Sequence, residues 1–108
     1  MREEVIKTFN YTVNATSELK ITSYKVNLAS PQPVESLLIL TMAAEGGNGD
    51  LTYRFAVQKD GKNVFVQNYT SNARAIWIPS EAGTYKIYYK VKDASGKVVQ
   101  KSMSYVIK

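Results

Sequence analysis

Between Gly83 and Asp93 the chain reads GTYKIYYKVKD, so Tyr85, Ile87, Tyr89 and Val91 alternate with Lys86, Tyr88, Lys90 and Lys92. A side-chain period of two fits a strand with one dry face and one wet face. The same period recurs along the chain, and no sustained period of 3.6 accompanies it. LTYRFAVQ sets Leu51, Tyr53, Phe55 and Val57 on one face. Asp60-Gly61 is a strong hairpin-turn signal, after which NVFVQNY returns. Ala73 to Ile78 reads as a short strand stopped by Pro79, and Lys97 to Ile107 as the last strand. Upstream, SLLILTMA suits a central strand. KITSYKVNL runs into Ser30-Pro31-Gln32-Pro33, whose prolines cannot donate to a ladder, so this stretch marks an edge or a crossing between sheets. From Lys20 onward the pattern predicts an all-β, immunoglobulin-like β-sandwich of about seven antiparallel strands.

Two local features sharpen that expectation. In immunoglobulin-like sandwiches a tyrosine near the start of the sixth strand bonds its hydroxyl back to upstream backbone and pins a corner. Tyr85 in EAGTYKI sits where such a tyrosine belongs, and Ile87 should then face Leu38 or Leu40 across the core. Gly46-Gly47-Asn48-Gly49, between Glu45 and Asp50, reads as a loop whose glycines permit positive φ. Its oxygens suit Ca²⁺ in type, but a plain turn accounts for it without a metal.

The opening of the chain echoes its end. VIKTFNYTV, residues 5 to 13, aligns with VQKSMSYVI, residues 99 to 107, with Val, Lys and Tyr identical at Val5/Val99, Lys7/Lys101 and Tyr11/Tyr105. The offset is 94 positions, close to the length of one immunoglobulin-type domain. Residues 1–17 are therefore expected to be the last strand of a preceding repeat plus a linker, and residues 18–108 the sandwich itself.

The blocks ITSYKVNLASPQPV, LTYRFAV and AIWIPSEAGTYKIYYKVKDASGK resemble the three-tyrosine (Y_Y_Y) type of immunoglobulin/fibronectin III-like domain. Ser30-Pro31-Gln32, Ala75-x-Trp77-x-Pro79 and Ala82-Gly83-Thr84-Tyr85 carry most of that resemblance, which spans roughly residues 20 to 108. Such domains occur in tandem in clostridial surface and secreted proteins, including wall amidases, and in the periplasmic sensor parts of two-component regulators. The resemblance implies a bacterial extracellular or cell-surface accessory module whose partners are neighbouring domains of the same chain.

The composition narrows the chemistry. There is no His and no Cys, so imidazole and thiolate metal sites are excluded and a serine nucleophile lacks its usual base. A lone small sandwich offers no evident cleft in which two carboxylates face each other as a glycosidase requires. No catalytic residue, metal site or cofactor is expected. No apolar run reaches the length of a membrane span, and Met1-Arg2-Glu3-Glu4 lacks the apolar core of a signal peptide, so an export signal is expected outside this stretch.

The formal charge of +5 lies wholly in residues 86–108, with six lysines against Asp93. Lys86, Tyr88 and Lys90 share the outward face of one strand and form the candidate ligand face: the cations to hold an anion, the ring to stack on a sugar. A solvated face kept soluble by lysine explains the same residues without a ligand. Trp77 reads as core, its alternative being an exposed platform for a sugar ring. Nucleic acid is not an expected partner, since no nucleic-acid-binding motif accompanies the charge. The leading expectation is a non-catalytic spacer, presentation or docking module from a tandem array. The alternatives are a module that binds cell-wall glycan or another anionic polymer, and a periplasmic sensor module.

Overall fold

The structure, a computed structural model, describes residues 18–108. The expected strand of a preceding repeat, residues 5–13, lies outside them. The described chain forms β1 (Lys20–Val26), β2 (Leu38–Glu45), β3 (Thr52–Lys59), β4 (Lys62–Thr70), β5 (Arg74–Trp77), β6 (Gly83–Lys92) and β7 (Val98–Ile107). They make two antiparallel sheets, β1-β2-β5 and β4-β3-β6-β7, and these are the two layers of an immunoglobulin-like sandwich.

Turn chemistry decides which sheet β4 joins. Asp60 and Gly61 both take positive φ, 54° and 77°, as a type I′ hairpin demands. So tight a turn lays β4 directly beside β3, with Lys59 opposite Lys62 and Val57 opposite Phe65. In antibody constant domains the fourth strand belongs to the other sheet.

The proline-flanked segment makes the expected crossing. It leaves β1 and reaches the free edge of β7, where Gln32 N–H donates to Val106 O at 3.2 Å and Lys108 N–H donates to Gln32 O at 3.0 Å. Gln32, between two prolines, supplies both the donor and the acceptor. Ser30 Oγ accepts from Val106 N–H at 2.8 Å. The Ser30–Pro31 peptide is cis.

Alternation fills the space between the sheets. Tyr85, Ile87, Tyr89 and Val91 of β6 are buried together with Leu38, Leu40, Phe55, Val57 and Ile107. Fully burying one such aliphatic or aromatic side chain is worth roughly 1.5–3 kcal/mol relative to exposure. Trp77 is core, as expected, and packs edge-on against Tyr85 (ring centroids 4.9 Å apart) and Tyr105 (6.2 Å). Tyr89 packs in the same way on Phe55 at 5.7 Å. Tyr53, expected inward, is half-buried against this core.

Candidate functional site

Three polar arrangements stand out against this core. In the first, the Tyr85 hydroxyl donates to Glu81 O at 2.6 Å, which is the corner the sequence predicts. Lys59, at the end of β3, closes over it: its ammonium lies 2.9 Å from Glu81 Oε1 and 5.9 Å from the centre of the Tyr85 ring. That hydrogen bond raises the pKa of Lys59 and lowers that of Glu81. A second tyrosine does the same work from β7. The Tyr105 hydroxyl donates to Leu28 O at 2.7 Å, tying the last strand to the chain leaving β1. Its placement was not legible, because Leu28 lies 77 residues away.

The second arrangement centres on Asp93. It stands in the turn between β6 and β7, yet its side chain is buried. Oδ1 accepts from the Ser95 hydroxyl at 2.7 Å and from the N–H groups of Ser95 and Lys97 at 2.9 and 3.0 Å. Oδ2 accepts from Asn48 N–H at 3.1 Å, across from the glycine-rich loop. These bonds, the Ser95 hydroxyl first and the Asn48 amide next, hold the carboxyl at about 2. Gly47 (φ 77°) lets the loop approach so closely, since a β-carbon there would meet Asp93 Oδ2 at 3.0 Å. The loop that suits Ca²⁺ by composition is thus held by a carboxylate of the opposite hairpin. Among the described residues no three Asp or Glu side chains gather as a metal site would require.

The third arrangement is the outer face of the four-stranded sheet. Lys86, Tyr88 and Lys90 do share it, and the Lys86 ammonium sits 5.6 Å from the centre of the Tyr88 ring. Neighbouring strands enlarge the group. Arg54 of β3 stands opposite Lys90, and Thr52 opposite Lys92. The Lys92 ammonium lies 4.3 Å from the centre of the Tyr69 ring of β4. At the centre Ala56 pairs with Tyr88. The small Ala56 side chain leaves a hollow of about 350 Å³, walled by Arg54, Gln58, Asn63, Tyr88, Lys90 and Gln100. Within one strand, period two reveals Lys86, Tyr88 and Lys90. Arg54, Tyr69 and Ala56 join them only through cross-strand register, which one strand's pattern does not contain.

A hollow of about 560 Å³ opens between the free edges of β4 and β5, lined by Phe65, Val66, Gln67, Asn72, Arg74, Ala75 and Ile76, and carries no carboxylate. No helix long and apolar enough to cross a membrane occurs among the described residues.

A comparison with known domain families matches the Y_Y_Y domain over residues 44–108. Among curated proteins none matches this chain.

Proposed function

The chain belongs to the Y_Y_Y domain family, and from that premise we propose that it is one unit of a tandem array in a bacterial surface or secreted protein, serving to space, present or dock its neighbours. Y_Y_Y domains are small extracellular- or periplasmic-type β modules and are not generally catalytic. On this reading the protein works outside the cytoplasm, and its partners are the domains beside it.

The observation that carries the array reading is the echo between residues 5–13 and 99–107, together with what the later copy does. Residues 99–107 lie in β7, where Tyr105 and Ile107 are buried and Val99 and Met103 pack against the core. The earlier copy keeps apolar residues or tyrosine at those same positions: Val5, Phe9, Tyr11 and Val13. Any strand with one buried face repeats apolar residues at every second position. Tyr11 is more particular, because its counterpart Tyr105 both packs on Trp77 and donates to Leu28 O. A preceding repeat whose last strand had the same two duties would need that tyrosine.

Deleting residues 1–17 tests the reading. If they belong to a preceding repeat, the amide spectrum of residues 18–108 overlays that of the full chain and the melting temperature is unchanged. A fall in melting temperature of roughly 4–8 °C for each kcal/mol lost, with shifts along one sheet edge, would make residues 5–13 a strand of this domain and overturn the array.

A further inference from the structure

We infer that the outer face of the β4-β3-β6-β7 sheet is a binding site for an anionic polysaccharide, with Arg54, Lys86, Lys90 and Lys92 as the charge-bearing residues. This goes beyond the array reading and does not depend on it. Arg54, Lys86, Lys90 and Lys92 belong to one continuous patch, because Arg54 pairs with Lys90 across β3 and β6 and the lysines recur at alternate positions of β6. Along β6, alternate residues stand about 7 Å apart, so cations line up along a track that an extended polymer can follow. Beside Arg54, the register partners of Lys86, Tyr88, Lys90 and Lys92 on β3 and β7 are Gln58, Ala56, Thr52, Ser104, Ser102, Gln100 and Val98, with no carboxylate to neutralise the track. Among the described residues the ion pairs Lys20–Glu45 and Lys59–Glu81 lie elsewhere. Four cations that no described carboxylate pairs with, on one sheet face, set up a local positive potential that concentrates polyanions.

The walls of the central hollow point to a sugar polymer. Gln58, Asn63 and Gln100 contribute side-chain amides, which both donate and accept and so suit hydroxyl-rich chains. The hollow, floored by Ala56, leaves room for a ring substituent beside Arg54 and Lys90. Nucleic acid would call for open aromatic faces on which bases stack. Here the Tyr88 and Tyr69 rings are approached by Lys86 and Lys92, at 5.6 and 4.3 Å. That contact gives the rings a part beside the stacking expected of Tyr88: they steer the ammonium groups, so the anion meets charges already in place. A bilayer would call for a cluster of apolar side chains to insert, whereas the hollow's wall is mostly amide and cationic and the exposed Val66 and Val98 lie apart, on the two edge strands β4 and β7.

The test uses the full chain, labelled with ¹⁵N. It is titrated with a dextran sulfate oligosaccharide, with neutral dextran of equal length, with oligodeoxythymidine, and with vesicles of phosphatidylserine in phosphatidylcholine. Amide shifts centred on Arg54, Ala56, Tyr88, Lys90 and Lys92 are expected with the sulfated glycan and not with neutral dextran. Affinity should fall about tenfold or more when salt rises from about 50 to about 200 mM. Lys90→Glu should weaken binding about tenfold, and Lys25→Glu, an equal change of charge on the other sheet, far less. Tyr88→Leu should cost a few-fold, and unchanged affinity there would overturn the role given to the rings. Equal losses in Lys25→Glu and Lys90→Glu, or no shift at millimolar sulfated glycan, would overturn the site. Tighter binding of the oligonucleotide or the vesicles through the same residues would overturn the choice of ligand.

Discussion

Tyr85 and Tyr88 stand three residues apart on β6 and meet different surroundings. Tyr85 is buried, packs on Trp77 and spends its hydroxyl on Glu81 O. Tyr88 lies on the opposite face, half exposed, with a lysine ammonium near its ring. The inner face of the strand is fixed by contacts to both sheets and has one arrangement that fits. The outer face is set by register and by ring contacts such as Lys86 on Tyr88, and it stays open to a ligand. One strand thus carries the fold on one side and the candidate site on the other, and substitutions should separate the two.

The largest effect is expected at Ile87. It is fully buried at the centre of the four-stranded sheet, paired with Val57 on β3 and Met103 on β7. Ile87→Ala should cost about 2–5 kcal/mol, from lost burial and from the cavity left behind. Lys86→Ala and Lys90→Ala, one and three residues away, should each stay within about 0.5 kcal/mol. Urea denaturation of the three variants measures both halves. An outer-face variant as costly as Ile87→Ala would break the division between the faces.

The inner face was legible from the sequence and the outer face only in part. Period two places Tyr85, Ile87, Tyr89 and Val91 correctly because burial repeats at the strand's own period. Pro31 and Pro33 mark the crossing because each lacks an N–H, and Asp60-Gly61 marks the hairpin because it tolerates positive φ. What stayed hidden depends on partners distant in sequence. The register that sets Arg54 beside Lys90 is one case. The Tyr105 bond to Leu28 is another. Asp93 is a third: an aspartate in a turn has the same local signature whether its carboxylate meets water or the Asn48 amide.

Asp93 sharpens the comparison at the loop end of β6, where a buried carboxylate follows the lysines of the outer face. Its carboxyl lies at about 2 in the folded chain, below its ordinary 3.8. A depressed folded value means that the contribution is fully present above the unfolded value and is lost as pH falls through the folded one. The loss therefore runs from about 3.8 down to about 2. Asp93→Asn removes this titration, so its urea midpoint should be lower than wild type near neutral pH and should converge on it as the pH falls toward 2. A constant gap between the two proteins across that range would show that the Ser95, Lys97 and Asn48 bonds do not depend on the charge.

The smallest effects on the inner face should come from the two tyrosine hydroxyls, and they ask how that face is held in register. Tyr85 and Tyr105 are cross-strand partners on β6 and β7, and both touch Trp77. Their hydroxyls nevertheless reach different backbone, Glu81 O at 2.6 Å and Leu28 O at 2.7 Å. Tyr→Phe keeps the ring and its packing and removes only the hydrogen bond. Each substitution should therefore cost about 1 kcal/mol, the net worth of a typical intramolecular hydrogen bond. If each hydroxyl pins its own segment, the double variant should lose the sum of the two to within about 0.5 kcal/mol. A coupling larger than that would mean that the corner near Glu81 and the crossing near Leu28 are braced through Trp77 as one unit. The inner face of β6 would then act together with β5 and β7, while Tyr88→Phe on the outer face should leave both single-variant costs unchanged.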